Sequence, residues 1–184
     1  MPKAKKHTEK FKNFNLIIFG GTGDLAYRKI YPAIYQRFID GQLTCNYNII
    51  AITRKENNQD IFNKEMESFL SQNVKESNIS KDEISLFMKN VHLIRAKEAS
   101  AEGYKDLKSF MAKFKAYQNI FYFSTPSSAF GPISKALKVS RLVNSESKVV
   151  IEKPLGHNLE SSISINDDII ETLFLNLFVL YRST

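Results

Sequence analysis

Three stretches of the sequence carry residue types that could bind a phosphorylated ligand. The first is a glycine-rich turn, Gly20-Gly21-Thr22-Gly23, which follows an apolar run, Leu16 to Phe19, and precedes residues with helical spacing. Without side chains, the backbone of such a turn can approach phosphate oxygens, and N–H groups at the amino end of the following helix can bind them. The spacing differs from the common G-x-G-x-x-G, and paired glycines also occur in simple turns. From the strand–turn–helix context we predict that this turn holds a diphosphate.

A basic residue, Arg54, ends the second apolar run, Asn48 to Thr53. In dinucleotide-binding folds an acidic residue about 20 positions after the glycines binds a ribose hydroxyl, whereas an arginine accommodates a 2′-phosphate. Counting alone selects Asp40, but Asp40-Gly41-Gln42 is typical of a helix end rather than of a strand end. A solvated arginine is the alternative interpretation. We predict that Arg54 binds a 2′-phosphate, which favours NADP.

Lys153 is the strongest single candidate for a chemical role, because it follows a strand-like run, Lys148 to Glu152, and precedes Pro154. A lysine at the carboxyl end of a strand can neutralise a sugar phosphate or bridge a substrate and a nicotinamide ring. The alternative is an ion pair with the preceding glutamate beside a rigid turn. His157 follows closely, but no acidic residue is placed to orient its ring, so we assign it no role in proton transfer.

Short apolar runs alternate with helical patterns along the chain. Strands are predicted over Leu16–Phe19, Asn48–Thr53, Val91–Ile94, Ile120–Ser124 and Lys148–Glu152, and helices over Leu25–Phe38, Asp60–Leu70, Lys81–Lys89, Tyr104–Ala116, from near Ala129, and over Leu159–Ile170. Ser127 or Ser128 is expected to cap the helix that begins near Ala129. This alternation predicts an α/β fold with a doubly wound, mostly parallel, Rossmann-like sheet. Ser124-Thr125-Pro126 should border a ligand at the carboxyl ends of its strands.

Two stretches resemble the hallmark motifs of glucose-6-phosphate dehydrogenases. GGTGDLAYRKIYPAIY, residues 20–35, is similar to the dinucleotide turn of that family, and IEKPLG, residues 151–156, is similar to its second hallmark. Between them, Tyr122 to Pro126 lies where relatives have a strand that ends in a proline. The resemblance covers about residues 14–168. It implies an NADP-dependent enzyme of the pentose phosphate pathway that transfers hydride from C1 of glucose 6-phosphate to NADP and forms 6-phosphogluconolactone.

The resemblance also implies which residues hold the ligands. The residues that would contact NADP are Gly20, Thr22, Gly23, Asp24, Leu25, Arg54 and Lys153. Lys153 would also contact glucose 6-phosphate. The segment Arg95 to Gly103 does not match the aspartate-bearing loop of relatives, and we assign no coenzyme contact to it. Asn158 stands where relatives often have an aspartate.

The catalytic base of the family has no counterpart here. Relatives carry a histidine in an R-I-D-H-Y-L-G-K-E stretch, and this sequence lacks one, so we assign no catalytic residue. We expect a basic tail over residues 1–13, an NADP-binding domain over 14–170, and an atypical apolar tail over 171–184. The substrate domain and oligomer interface of the family are missing, which favours a truncated or frameshifted product with little activity. Alternatively, the apolar tail packs on the domain as a short helix or strand, or the chain is a non-catalytic nucleotide-binding or inert remnant.

The overall composition is that of an ordinary globular domain. The chain has 184 residues, of which 43% are hydrophobic and 24% charged, with a formal net charge of +7. Lysines are frequent in the first twelve residues, which favours a solvated tail over a nucleic-acid-binding arm. Cys45 is the single cysteine, so no intrachain disulfide can form. With neither a signal-peptide pattern nor a membrane-length apolar run, we predict a cytoplasmic protein without membrane contact, and we predict no metal site.

Overall fold

The structure, a computed structural model, describes residues 12–56, 58–73, 80–152 and 176–180. The strands are β1 (Phe14–Phe19), β2 (Tyr47–Thr53), β3 (Val91–Arg95), β4 (Gln118–Phe123), β5 (Lys148–Glu152) and β6 (Asn176–Leu180). The α-helices are α1 (Tyr31–Ile39), α2 (Gln59–Asn73), α3 (Lys81–Met88), α4 (Lys105–Met111) and α5 (Phe130–Val139). A π-helical turn, Ala26–Ile30, leads into α1, and 3-10 turns occupy Ala112–Phe114 and Ser127–Ala129.

The six strands form one parallel sheet in the order β3-β2-β1-β4-β5-β6. The central strand, β1, pairs with β2 on one side and with β4 on the other, so the strand order reverses between β1 and β4. A doubly wound sheet binds its ligand at that reversal, beyond the carboxyl ends of the strands. The predicted α/β fold with a parallel Rossmann-like sheet is confirmed.

Hydrophobic side chains cover both faces of the sheet. Ile17 of β1 belongs to a cluster that includes Leu107 of α4 and Leu137 of α5. Ile18, which points to the opposite face, belongs to a second cluster that includes Tyr31 of α1 and Phe62 of α2. Strands that are buried on both faces read as continuous apolar runs, which explains why β1 and β2 could be recognised from the sequence.

Three asparagines cross the sheet at the amino ends of the central strands. The Asn48 side-chain amide donates to the Asn15 side-chain oxygen at 2.9 Å, and the Asn15 amide donates to the Asn119 oxygen at 2.9 Å. Asn15 and Asn48 are buried, and both pairs are directly in register in the parallel ladder. We call this set the asparagine ladder. It satisfies buried polar groups that would otherwise oppose folding.

Two details of the predicted helices are wrong. The helix predicted over Tyr104 to Ala116 is shorter, because α4 passes into a 3-10 turn, and the Tyr117 N–H then donates to the Phe114 carbonyl at 2.9 Å. The tighter winding leaves the rings of Phe114 and Tyr117 5.2 Å apart. Neither Ser127 nor Ser128 caps α5 with its side chain, because both lie in the preceding 3-10 turn.

The apolar C-terminal region contributes a strand to the sheet. The backbone of Asn176–Leu180 pairs in parallel with β5, from Lys148 opposite Asn176 to Glu152 opposite Leu180. For Asn176–Leu180, the part of the tail that the structure describes, this pairing agrees with the interpretation in which the tail packs on the domain as a strand. The domain boundary between residues 170 and 171 stays a prediction. Lys153, Pro154, His157 and the predicted helix Leu159 to Ile170 lie outside the described residues.

Candidate dinucleotide-binding site

The glycine turn connects β1 to the helical segment in a conformation that excludes larger residues. Gly20 has a φ of +78°, and a Cβ atom there would lie 2.4 Å from the Ser124 carbonyl oxygen at the end of β4. The Gly23 N–H donates to the Gly20 carbonyl at 2.8 Å and closes the turn. The backbone of the turn therefore carries no side chain at Gly20 and Gly23, as the close approach of a diphosphate requires.

A buried tyrosine forms a hydrogen bond to the backbone of the glycine turn. The Tyr31 hydroxyl, from the first turn of α1, donates to the Gly21 carbonyl at 2.6 Å. Burial, and secondarily the neighbouring Tyr27, raises the pKa of Tyr31, so its hydroxyl remains a donor across the physiological range. The Gly21 N–H donates to the Ile52 carbonyl at 3.0 Å, and a Cβ on Gly21 would lie 2.7 Å from the Ala51 Cα. We did not predict this role of Tyr31, although its place on the buried face of the following helix is the signal that could have indicated it.

The remaining residues of the turn make different contacts. The Thr22 and Thr53 hydroxyls lie 2.9 Å apart, which links the turn to the end of β2. The Asp24 carboxylate is exposed and accepts a hydrogen bond from Arg28 Nε at 2.5 Å. An exposed pair of this kind contributes little stability, and the carboxylate is partly neutralised beside the turn.

A crevice of about 680 Å³ lies at the carboxyl ends of the first four strands. Its walls include Gly20 after β1, Arg54 after β2, Lys97 after β3 and Ser124 after β4. Thr22 and Gly23 also line it, whereas Asp24 and Leu25 are not part of its wall. The structure therefore brings the glycine turn and Arg54 together in one cavity.

The crevice has a basic end. Arg54, Lys55 and Lys97 line it, together with a single acidic residue among the described ones, Glu98. The Glu98 carboxylate accepts a hydrogen bond from the Ser100 hydroxyl at 2.8 Å. Such a concentration of positive charge attracts phosphate groups. The segment Arg95 to Gly103, to which we assigned no coenzyme contact, contributes Lys97 and its neighbours to one wall of the crevice.

The residues of the crevice fit a dinucleotide. The Ser124 Oγ and Thr125 Oγ1 atoms, after β4, are buried and have no hydrogen-bond partner in the described part of the chain. Buried hydroxyls without partners are rare in folded proteins, and a polar ligand that enters the crevice can supply partners. The volume lies in the range of small-molecule and cofactor sites, about 300–1,000 Å³. The bare turn, the basic end and the unpartnered hydroxyls together match a long, phosphorylated, partly polar ligand.

The described residues contain no cluster of metal ligands and no membrane-spanning helix. Within the ranges that the structure describes, no group of three His, Cys, Asp or Glu side chains could hold a metal ion. Over the same ranges, no helix combines the length and the apolar character needed to cross a bilayer.

Comparisons with known proteins agree with this site. The sequence model of the family "Glucose-6-phosphate dehydrogenase, NAD binding domain" matches residues 17–176. Glucose-6-phosphate 1-dehydrogenase of Rhizobium meliloti is 31% identical over 156 residues, covering 85% of this chain and 32% of the relative. The enzyme of Dickeya dadantii is 33% identical over 168 residues, covering 91% of this chain and 33% of the relative. The chain thus spans about a third of the length of these curated relatives.

Solved structures show the same fold. A glucose-6-phosphate dehydrogenase in complex with its substrate glucose-6-phosphate superposes with a TM-score of 0.77 at 27% identity, covering 92% of this chain and 36% of that one. Glucose-6-phosphate 1-dehydrogenase from Mycobacterium avium superposes with a TM-score of 0.78 at 22% identity, covering 89% of this chain and 36% of that one. The parallel sheet, the glycine turn and a match over most of the chain lead to one conclusion: the protein belongs to the glucose-6-phosphate dehydrogenase family, in which it corresponds to the NAD-binding domain.

Proposed function

We propose that the chain binds NADP in the crevice and serves as the coenzyme domain of a glucose-6-phosphate dehydrogenase. One observation carries the choice of NADP over NAD: Arg54, exposed at the end of β2, lines the same cavity as the glycine turn. A guanidinium at that position suits a phosphate on the ribose, whereas NAD sites of this architecture place a carboxylate there. The first carboxylate after β2 is that of Glu56, and it forms an ion pair with Arg95.

Each part of the crevice has a separate task in this proposal. The backbone around Gly20 and Gly23 binds the diphosphate. Thr22 and Arg54 lie on the adenosine side of the diphosphate. Ser124 and Thr125 lie on the other side, after β4, where the nicotinamide half would extend across the reversal of strand order. When bound, NADP supplies the hydride acceptor for C1 of glucose 6-phosphate. Lys153, which follows β5, is proposed to contact both ligands.

Nucleotide titration tests the first part of the proposal. We expect the purified chain to bind NADP with a Kd in about the micromolar range and to bind NAD more weakly, measured by isothermal titration calorimetry. Arg54→Ala should abolish the preference for NADP. Arg37→Ala is a matched control, because Arg37 is exposed at the carboxyl end of α1 and hydrogen-bonds to Gln42 rather than lining the crevice. Equal binding of NADP by Arg54→Ala and the parent chain would refute the proposed role.

An activity assay tests the second part. We expect little or no oxidation of glucose 6-phosphate by this chain alone, because the sequence lacks the R-I-D-H stretch that carries the base in relatives. General acid–base catalysis is worth about 10² to 10⁴ in rate, and poor substrate positioning removes more. Turnover at an ordinary enzymatic rate, followed by NADPH absorbance, would contradict this expectation.

The second candidate function is that of a non-catalytic nucleotide-binding or inert remnant. The chain itself spans about a third of the length of each of these relatives. Binding of NADP without turnover supports a coenzyme-binding role, whereas failure to bind either nucleotide supports an inert remnant. A cytoplasmic location stays a prediction.

A further inference from the structure

The carboxyl ends of β2 and β3 lie side by side at the basic end of the crevice. Thr53 pairs with Arg95 in the parallel register, and the Ala96 N–H donates to the Thr53 carbonyl at 2.8 Å. Neighbouring strands are about 4.8 Å apart, so the residues that follow them, Arg54 and Lys97, are within side-chain reach of one ligand group. Both are exposed, and both line the crevice.

The acidic groups near this edge are engaged elsewhere. Glu56 forms an ion pair with Arg95, with Oε1 2.9 Å from Nη1, and Glu98 accepts a hydrogen bond from within its own loop. Across the parts of the chain that the structure describes, neither Arg54 nor Lys97 has an ion-pair partner. Two cations that face one cavity repel each other, and an anion between them removes that repulsion.

The loop that presents Lys97 is held in place by its own hydrogen bonds. The Ser100 hydroxyl donates to the Glu98 carboxylate at 2.8 Å and accepts from the Gly103 N–H at 3.0 Å. A Cβ on Gly103 would lie 2.3 Å from the Glu98 carbonyl oxygen, so the loop folds back on itself more closely than other residues permit. The loop that carries Lys97 is therefore preorganised, which reduces the entropy lost when the Lys97 side chain binds a ligand.

We propose that Lys97 is a specificity-determining residue that, together with Arg54, holds the 2′-phosphate of the adenosine half of NADP from two sides. This inference rests on the proposed function and adds a second cation, from β3, to the strand-end arginine of β2. A phosphate with two negative charges can accept charge-assisted hydrogen bonds from both side chains at once. A ribose with a free 2′-hydroxyl gains little from either. The discrimination between NADP and NAD is thus divided between two neighbouring strand ends.

Binding of adenosine fragments tests this assignment without any need for catalysis. The probes are 2′,5′-ADP, which carries the 2′-phosphate, and 5′-AMP, which lacks it, each titrated by calorimetry into the full chain. We expect Lys97→Gln to weaken 2′,5′-ADP binding by about tenfold, the loss of one charge-assisted contact, and to leave 5′-AMP binding unchanged. Lys97→Arg keeps the charge and should retain most of the affinity. Lys89→Gln is the matched control, because it removes the same charge from an exposed residue that precedes β3, at the opposite edge of the sheet.

The outcomes separate this inference from the proposed function. If Lys97→Gln weakens both probes equally, or neither, the assignment of Lys97 to the 2′-phosphate is overturned while nucleotide binding stands. The same holds if Lys55→Gln produces the selective loss and Lys97→Gln does not. If the parent chain binds neither probe, both the inference and the proposed function fail. Circular dichroism of each variant shows whether it is folded, and Lys97→Arg provides the second readout.

Discussion

Substitution of Gly20 by alanine tests the geometry on which the whole site depends. Gly20 has a φ of +78°, and a Cβ there would meet the Ser124 carbonyl oxygen at 2.4 Å and the Thr125 Cγ2 at 3.1 Å. The first contact is with backbone, which a rotamer change cannot relieve. The ends of β1 and β4 would have to separate by about 1 Å to reach ordinary contact distance. Because the crevice opens between these strands, the variant should lose nucleotide binding as well as stability.

The expected loss of stability combines two effects. A non-glycine residue in the left-handed region costs about 1 kcal/mol, and forcing an extra carbon into a closely packed position costs about 1–3 kcal/mol. We expect a decrease of about 3 kcal/mol in the free energy of unfolding. With a urea m-value of about 2 kcal/mol/M, the midpoint should fall by about 1.5 M.

Two other glycines separate the two effects. Gly41 has a φ of +65° but no atom within 4 Å of its would-be Cβ, so Gly41→Ala should cost only the backbone effect, about 1 kcal/mol. Gly131 lies in the first turn of α5, directly before Pro132, has ordinary backbone geometry and also has open space, so Gly131→Ala should change the stability by no more than about 1 kcal/mol. Urea unfolding followed by circular dichroism measures all three. If Gly20→Ala costs no more than Gly41→Ala, the close approach of β4 to the turn is wrong, and so is the derivation of the crevice.

Three further predictions concern the supports of the sheet and turn. Tyr31→Phe removes the buried donor to the Gly21 carbonyl and should destabilise by about 1–3 kcal/mol and weaken NADP binding, as measured by urea unfolding and calorimetry. Burial, and secondarily the charge of Lys113, lowers the pKa of His92, so just below about pH 6.5 the unfolded chain binds more protons than the folded chain. The free energy of unfolding should therefore decrease as the pH falls through this range. The decrease should be smaller in His92→Phe when urea unfolding is compared at about pH 7.5 and 5.5. Asn15→Leu should cost about 2–3 kcal/mol in urea unfolding, because both partners in the asparagine ladder lose a hydrogen bond; an unchanged midpoint would contradict the ladder.

The strands and the glycine turn could be predicted because their signals are local. A parallel strand covered on both faces needs apolar residues at nearly every position, and the segment Tyr47–Thr53 is buried throughout. The turn needs residues without Cβ atoms, and the sequence shows them as glycines. Arg54 could be assigned to the crevice because it directly follows a strand that the pattern indicates.

The contribution of Lys97 could not be predicted, because long-range packing determines it, and the contribution of Tyr31 was missed. Lys97 reaches the crevice only because Thr53 and Arg95 are paired in the sheet, a contact between residues that are far apart in the chain. The hydroxyl of Tyr31 meets the Gly21 carbonyl because the helix folds back beneath the turn. The pairing of Thr53 with Arg95 leaves no short-range pattern, whereas the position of Tyr31 on the buried face of the helix does. The predicted serine cap of α5 was also wrong, because a serine near a helix end can equally lie in a preceding 3-10 turn.

The asparagine ladder has a consequence for how the domain could be re-engineered. It fixes the alignment of β1 with both neighbours at the edge opposite the crevice, through a single residue, Asn15, that both donates and accepts. A slip of either neighbour by one position would break a buried hydrogen bond and turn every side chain of that strand to the wrong face. Segments at the edge with the crevice can therefore be lengthened, shortened or exchanged while the strands beneath them keep their register. Grafting loops from another member of the family onto this scaffold is a practical use of that independence.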